Sequence, residues 1–152
     1  MKIRDFLNVD SISVDLQCQT KKESIKELVQ LLSKGKKIKD TDKIVKILMD
    51  RESLGSTGIG QGIAIPHGKS DSIANILAAF GISKKGIDFD ALDGEPVNLI
   101  FLLVAPHDSA GVHLKALAKI SRLLKDKFFR QALREAKSSE EILKIIKEED
   151  EC

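Results

Sequence analysis

The feature that most constrains the fold is an apolar run in the second half of the sequence, residues 97–104, which reads VNLIFLLV. The run has the length of a strand, and it lacks the alternation of apolar and polar residues that marks a strand with one wet face. Such a strand is buried on both faces. The fold must therefore cover both sides of the sheet to which this run belongs.

Helix patterns precede this strand. A capping box at residues 20–23, TKKE, predicts the start of a first helix, and Gly35 predicts its end. A second helix is expected to begin near Asp40 or Thr41 and to continue towards Ser53. Both carry apolar residues at helical spacing, so each has a face that can cover a sheet.

Helix patterns also follow the strand. The loop 105–111 leads into a long helix whose apolar face is expected to consist of the following residues or their near neighbours: Leu114, Leu117, Ala118, Ser121 and Leu124. Residues 128–136 extend or follow that helix. A second capping box at 138–141 opens a last helix over 142–147.

Shorter strand patterns lie between the two groups of helices, at residues 63–65 and 76–82, with a short strand or turn at 87–89. Two helices, several strands and then two or three helices predict an α/β fold. We expect a small mixed sheet of about five strands, sandwiched by helices on both faces. The length of 152 residues suits a single domain spanning 1–152.

Composition excludes several classes of function. The chain has 25 basic and 23 acidic residues, so a net charge of +2 gives no basis for binding nucleic acid or an anionic membrane. It has no Trp or Tyr on which bases could stack. The N-terminus lacks the apolar run of a signal peptide, and no run approaches the ~20 apolar residues of a membrane span. Cys18 and Cys152 make no disulfide framework, which favours a reducing, cytoplasmic location.

The segment 62–70, GIAIPHGKS, ends like a phosphate-binding P-loop. A P-loop places four residues between its first glycine and the Gly-Lys-Ser, whereas Gly62 and Gly68 enclose five. Its backbone N–H groups must also turn around the phosphate. The apolar residues 63–65 favour a strand instead, and Pro66 has no N–H to offer. We therefore reject a nucleotide site here.

The same segment places His67 at the end of a short strand, between Pro66 and Gly68. The proline fixes the approach of the chain, and the glycine keeps a side chain away from the imidazole ring. A histidine in this position could ligate a metal, act as an acid or base, or attack phosphorus as a nucleophile. It could equally be a structural histidine in a turn, and spacing alone does not separate these alternatives.

A longer motif distinguishes them. Residues 52–68, ESLGSTGIGQGIAIPHG, resemble the phosphorylation-site motif of phosphotransferase-system enzyme IIA domains of the fructose/mannitol and nitrogen-regulatory class. The motif begins with an acidic or amide residue, here Glu52, and ends in Gly-x-x-apolar-Ala-apolar-Pro-His-Gly, here residues 60–68. Residues 112–117, VHLKAL, resemble the His-Leu segment of this class. Domain length and the order of elements extend the resemblance over nearly the whole chain.

The resemblance implies a phosphoryl carrier without a cofactor or metal. His67 would accept a phosphoryl group from the phosphocarrier HPr or a paralogue. It would pass the group to a sugar-specific IIB partner, or its phosphorylation state would serve nitrogen or metabolic regulation. In this class the ε nitrogen of the histidine is the attacking atom, which leaves the δ nitrogen for a backbone carbonyl. At most, the domain would be peripheral to a membrane permease.

The resemblance also suggests residues that assist His67. Arg51 would match phosphate oxygens with its guanidinium. His113, in the first turn of the long helix, would stay neutral and donate a hydrogen bond to the phosphoryl group. Ser56 and Thr57 could donate from their hydroxyl groups or could serve only the turn, and Gly68 would neighbour the phosphate.

Other residues allow further interpretations. Lys69 could attract an acidic partner or could simply be an exposed lysine. Whichever of Ile59, Ile63 and Ile65 points outward would contact partner proteins, and Ile63 and Ile65 should share one face. Two alternatives to a phosphoryl carrier are open. One is a binding module without catalysis. The other is a metal-dependent hydrolase that uses His67, His107, Asp108 and His113. His107 is not part of the family pattern.

Overall fold

The protein is described from a computed structural model, which covers residues 2–34 and 38–150. The predicted helix end at Gly35 and the C-terminal Cys152 lie outside the described residues. The helices are α1 (Lys21–Lys34), α2 (Thr41–Ser53), α3 (Ala110–Leu124), α4 (Lys127–Glu135) and α5 (Ser139–Asp150). The strands are β1 (Leu7–Ser13), β2 (Gly58–Gly60), β3 (Ile63–Ala64), β4 (His67–Lys69), β5 (Leu77–Ile87) and β6 (Val97–Ala105).

The six strands form one mixed sheet in the order β1-β5-β6-β3-β2, with β4 also paired to β6. The pairs β1–β5, β3–β6 and β4–β6 are parallel, whereas β5–β6 and β2–β3 are antiparallel. The prediction of a mixed α/β sheet is confirmed. The sheet has six strands where about five were expected, and the strand patterns identified in the sequence do not include β1, β2 or β4.

The apolar run is the centre of the sheet, as its composition requires. Alternate residues of β6 point to opposite faces. Leu99, Phe101 and Leu103 pack in one apolar layer with residues of α3, α4 and α5. Ile100 and Leu102 pack in a second layer with residues of α1 and α2. The prediction that helices cover this strand on both sides is therefore confirmed.

The predicted helix starts are also confirmed. The backbone N–H of Glu23 donates to the Thr20 hydroxyl oxygen over 3.1 Å before α1. The N–H of Lys43 donates to the Asp40 carboxylate over 3.1 Å at the start of α2. The N–H of Glu141 donates to the Ser138 hydroxyl oxygen at the start of α5. In each case a side-chain oxygen satisfies an N–H group that has no partner within its helix.

Two predicted elements differ in detail. The strand at 76–82 and the separate strand or turn at 87–89 are replaced by one continuous strand, β5, because pairing with β6 extends to Ile87 opposite Val97. The buried face of α3 is shifted by one residue from the predicted set, and it consists of His113, Ala116, Ile120 and Leu124. The helix carries apolar residues on more than one face, so packing against the sheet decides which of them are buried.

The N-terminal residues of the described chain contact the last residue of α5. The Asp150 carboxylate accepts a hydrogen bond from the backbone N–H of Ile3 over 2.6 Å and pairs with Lys119. The Lys2 ammonium donates to the Asp150 carbonyl oxygen over 3.0 Å. Among the described residues, no helix is both long enough and apolar enough to cross a bilayer.

Candidate active site

His67 begins β4, a three-residue strand that runs parallel to β6 and lies opposite Leu103. Pro66 precedes it, and its carbonyl oxygen accepts the N–H of Leu103 over 2.9 Å. The chain is thereby held beside the central strand up to the histidine, although proline cannot donate to a ladder. His67 is half-buried at this position, so its ring is fixed by the sheet and still reachable from outside.

One nitrogen of the His67 ring has a partner. Nδ1 lies 2.8 Å from the carbonyl oxygen of Ile65. A carbonyl oxygen only accepts, so the hydrogen bond requires the proton on Nδ1. In the neutral ring the lone pair is then on Nε2. This geometry agrees with the expectation from the sequence that a backbone carbonyl fixes the δ nitrogen.

The surroundings of His67 favour its neutral form. Burial lowers the pKa of the imidazole below its ordinary 6.5, and the positive charge of Arg51 acts in the same direction. The hydrogen bond to Ile65 and the negative charge of Glu52 oppose these effects without reversing them. His67 is therefore an unprotonated, nucleophilic imidazole near pH 7.

His113 of α3 packs against His67. The ring centroids are 5.6 Å apart, and the rings meet edge to face at 70°. His113 is only 5% exposed, and its Nε2 has no hydrogen-bond partner within the described part of the chain. A buried polar atom without a partner is costly, and in an active site it indicates a group that awaits a ligand.

Burial lowers the pKa of His113 to about 4, with smaller contributions from the charges of His67 and Lys69. The sequence argument also expected a neutral histidine, from the helix N-terminus. Here the main cause is burial instead. A neutral His113 can carry its proton on Nε2 and donate it in a hydrogen bond.

The lowered pKa of His113 makes stability depend on pH. Between about pH 4 and 6.5 the histidine is protonated in the unfolded chain but neutral in the folded chain. The unfolded state binds more protons there, so the free energy of unfolding should fall as the pH is lowered through this range. Urea unfolding at pH 5 and pH 7 measures this difference. His113→Gln should reduce the difference, while His107→Gln, at an exposed position, should leave it intact. An equal difference in wild type and His113→Gln would contradict the assignment.

Arg51 lies in the last turn of α2, and its guanidinium donates to the carbonyl oxygen of Gly55 over 2.8 Å. This bond uses one nitrogen of the five-donor fork and leaves other donors available. The charge of Arg51 lowers the pKa of His67, so the guanidinium lies within electrostatic range of the ring. The structure thus brings together His67, His113 and Arg51.

The next residue, Glu52, anchors the turn between α2 and β2. Its carboxylate is buried and accepts hydrogen bonds from the backbone N–H and the hydroxyl of Thr57. It also accepts from the Lys21 ammonium over 3.1 Å. Sequence reasoning missed Lys21, since it lies 31 residues earlier at the start of α1. Only the tertiary packing of α1 against α2 places it there.

Glu52→Ala should therefore destabilise the fold. The side chain of Glu52 is 2% exposed and that of Lys21 is 16% exposed. The variant therefore leaves the N–H of Thr57 without its partner and leaves the largely buried Lys21 cation with only its longer pair to the exposed Asp90, at 3.5 Å. We expect a loss of about 3 kcal/mol in the free energy of unfolding, measured with urea. Asp50→Ala is a matched control, because Asp50 is 67% exposed and its carboxylate pairs with the exposed Lys46 of the same helix. Its loss should stay below about 0.5 kcal/mol.

The hydroxyl groups of Ser56 and Thr57 already have partners. Ser56 donates to the carbonyl oxygen of Phe89 over 2.6 Å, and Thr57 donates to Glu52. Thr57 is buried. These contacts serve the turn, which was one of the two roles expected from the sequence. Phosphate contacts from the two residues stay a prediction.

Gly68 has a packing role that the sequence did not indicate. A Cβ at this position would lie 3.0 Å from Ile47 Cγ2 and 3.5 Å from Leu48 Cδ2, both in α2. The glycine lets β4 pack closely against α2, on the face away from the imidazole. The expectation that Gly68 also keeps a side chain away from the His67 ring stays a prediction. The segment is also no phosphate cradle, because β4 is a strand and the N–H of Ser70 donates to Ala105.

Comparison with known proteins now identifies the family. The model of the family described as "Phosphoenolpyruvate-dependent sugar phosphotransferase system, EIIA 2" matches residues 5–149. The chain belongs to this EIIA 2 family. EIIA domains of this system are phosphotransferase components with a phosphohistidine intermediate.

Relatives of the EIIA 2 chain have two kinds of name. The chain is 40% identical over 150 residues to the fructose-specific EIIABC component of Bacillus subtilis. The match covers 99% of the chain but 24% of that protein. The chain is 36% identical over 148 residues to a nitrogen regulatory protein of Bradyrhizobium diazoefficiens, and the match covers 96% of the chain and 95% of the relative. The chain thus spans about a quarter of the first relative and nearly all of the second.

A solved structure agrees with the EIIA 2 fold. The crystal structure of the nitrogen regulatory protein IIA-Ntr from Neisseria meningitidis superposes with a TM-score of 0.89 at 35% sequence identity. The match covers 95% of this chain and 98% of that one. The α/β fold inferred from the sequence is confirmed by this likeness.

The apolar residues near the EIIA 2 site divide into buried and exposed ones. Ile63 and Ile65 share one face, as expected, and both are buried in the core layer beneath α3. Ile59 is 43% exposed. Of the three isoleucines, Ile59 is the one that a partner can contact. Val112 and Leu114, on either side of His113, are also exposed, and sequence reasoning had assigned Leu114 to the buried face.

The metal-dependent alternative lacks its ligand cluster. Within residues 2–34 and 38–150, no group of three or more His, Cys, Asp or Glu side chains is arranged to hold a metal ion. His107 is exposed, and its charge acts on Asp71, which pairs with Lys43 over 2.7 Å. Of the four residues invoked for this alternative, His67 and His113 are brought together through their rings.

Proposed function

We propose that this EIIA 2 chain carries a phosphoryl group on Nε2 of His67, which it receives from an HPr-like protein. One observation carries the proposal above the others. His67 is held by its Nδ1–H on the Ile65 carbonyl, which leaves Nε2 as the nucleophile of a half-buried ring. The family membership supplies the reaction class, and this geometry supports Nε2 as the attacking atom.

The transfer balances without a cofactor. The lone pair of His67 Nε2 attacks the phosphorus of a donor phosphohistidine. The donor P–N bond breaks, and its electron pair returns to the donor ring nitrogen. No proton has to leave His67, because the proton stays on Nδ1, where it is hydrogen-bonded to the Ile65 carbonyl oxygen. Since one P–N bond replaces another, the group can move in either direction, and the reaction needs positioning and charge stabilisation above all.

Arg51 and His113 supply that stabilisation in the proposal. The charge of the phosphoryl group is spread over three oxygens in the transition state. The Arg51 guanidinium cannot lose its proton and offers planar paired donors. His113, neutral and without an Nε2 partner, donates one more hydrogen bond. Both helpers are held before the reaction, Arg51 by Gly55 and His113 by its packing in α3, so little reorganisation is needed.

The acceptor of the group defines two variants. The relative from Bacillus subtilis is named as a fructose-specific EIIABC component, which favours transfer to a IIB partner. The relative from Bradyrhizobium diazoefficiens is named as a nitrogen regulatory protein, which favours a regulatory target. In both variants we place the chain in the cytoplasm as a single domain, and Ile59 with Val112 and Leu114 forms the apolar part of the docking surface.

The proposal is tested by incubating the chain with enzyme I, an HPr-type donor and labelled phosphoenolpyruvate. We expect one phosphoryl group per chain, labile in acid and stable in base, as a phosphohistidine is. Tandem mass spectrometry should locate it on His67, and ³¹P NMR should assign it to Nε2. Stable labelling at any other residue would overturn the proposal. Adding a fructose-type IIB domain then separates the variants, because only the first predicts chasing of the label.

A further inference from the structure

Lys69 follows His67 by two residues in β4. Sequence reasoning left it as a residue that could attract an acidic partner or as an ordinary exposed lysine. The structure supports neither reading in full, because Lys69 is half-buried like His67 itself. Its backbone is paired with β6 opposite Ala105, so the start of its side chain is fixed by the sheet.

The neighbouring glycine shows which way Lys69 points. A Cβ on Gly68 would contact Ile47 and Leu48 of α2. Side chains alternate along a strand, so His67 and Lys69 both point to the opposite face. The contact between the rings of His67 and His113 confirms that this face is the one covered by α3. Lys69 therefore shares a face with the phosphoryl acceptor, with Cα atoms roughly 6.6 Å apart at about 3.3 Å per residue.

The Lys69 ammonium is not neutralised in this position. Within the described part of the chain it has no hydrogen-bond or ion-pair partner. Other lysines close to this region are paired: Lys21 with Glu52 and Lys43 with Asp71. A half-buried ammonium without an anionic partner can bind an anionic group that is brought to the site.

Two cations act on the two histidine rings. The charge of Arg51 acts on His67, whereas the charge of Lys69 acts on His113. The two rings are in contact, and the Lys69 side chain starts on the same strand face as His67, so its long stem can bring the ammonium to a phosphoryl group bonded to His67. A lysine has a flexible four-carbon stem and three donors, which suit a moving, dianionic group.

We propose that the Lys69 ammonium binds the phosphoryl group on His67 and selectively stabilises the phosphorylated state of the chain. This inference rests on the proposed function of His67. No bond forms or breaks at Lys69, and no proton leaves it. The contact is a charge-assisted hydrogen bond from the ammonium to a phosphoryl oxygen, which exists only after transfer has begun.

The decisive measurement is the equilibrium between the phosphorylated donor and this chain. A residue that only helps the donor to dock changes the forward and reverse rates equally and leaves the equilibrium constant unchanged. A residue that binds the phosphoryl group changes the equilibrium constant itself. For Lys69→Gln we expect the distribution of label between donor and chain to shift about tenfold towards the donor. Lys69→Arg, which keeps the charge, should stay within about threefold of wild type.

Lys84→Gln is the matched control. Lys84 is an exposed lysine of β5, two residues after Ile82. Ile82 pairs with Leu99 of β6, whereas Lys69 lies opposite Ala105 at the other end of that strand, so Lys84 is far from the site. It should change neither the rate nor the equilibrium. Equal equilibrium constants for wild type and Lys69→Gln, or an equal loss in Lys69→Arg, would overturn the inference while His67 still became labelled. Absence of label on His67 in the wild type would instead overturn the proposed function.

Discussion

His67→Ala is expected to abolish phosphorylation of the chain by an HPr-type donor. The variant removes the nitrogen that we propose as the nucleophile, and His113 cannot replace it because its ring is buried and does not reach the surface where a donor docks. Water cannot substitute for His67, because the labelled product is the chain itself with a covalently bound phosphoryl group. The measurement is incorporation of label from phosphoenolpyruvate over a time in which the wild type is fully labelled.

Two controls make this result specific. His107→Ala removes an exposed histidine of the loop between β6 and α3 and should leave labelling unchanged. Urea unfolding of His67→Ala should show that the sheet is intact, because His67 is only half-buried and β4 keeps its pairing with β6 through the backbone. Acid-labile label on a well-folded His67→Ala variant would refute the assignment.

His113→Ala should slow the transfer roughly 100-fold without preventing it. The variant removes one preorganised donor to the developing charge, and losses of this size follow when such a donor is deleted. His67 keeps its Ile65 hydrogen bond and its nucleophilic nitrogen. Single-turnover kinetics with a phosphorylated donor measure the rate constant, and prolonged incubation should still label the chain.

A conservative variant separates chemistry from packing at this position. His113→Gln keeps a side-chain donor in the same buried space, so it should recover part of the rate that His113→Ala loses. Leu114→Ala changes the adjacent exposed residue and tests docking instead, since Leu114 is 66% exposed. Rates for His113→Ala within threefold of wild type would exclude a role for this histidine in the transfer.

Much of the fold follows from local patterns. Residues 97–104 require a sheet covered on both faces, and capping residues such as Thr20, Asp40 and Ser138 mark helix starts, because each signal depends only on neighbours in sequence. Strand β1 was not predicted, and its pairing with β5 joins segments about seventy residues apart. The register of α3 was also not determined, because a helix with apolar residues on several faces is oriented by what it packs against.

The site divides in the same way. The motif at 60–68 marks His67, and the resemblance adds His113 and Arg51. The partner of Nδ1, the burial that sets the pKa of His113 and the link from Lys21 to Glu52 depend on contacts between distant segments. Gly68 shows the limit most clearly. A glycine beside a functional residue invites a functional reading, but the atoms that exclude its side chain belong to α2.

The hydrogen bond from the Ile3 N–H to the Asp150 carboxylate determines where the two ends of the described chain lie. It places the points where the described chain enters and leaves side by side, next to β1. Leu7 of β1 lies on the same rung of the sheet as His67, through Ala78 and Leu103, three strand spacings or roughly 14 Å away. Further polypeptide could therefore be attached at both ends without crowding the histidine. The unit is suited to circular permutation and to being spliced as a cassette into longer multidomain chains.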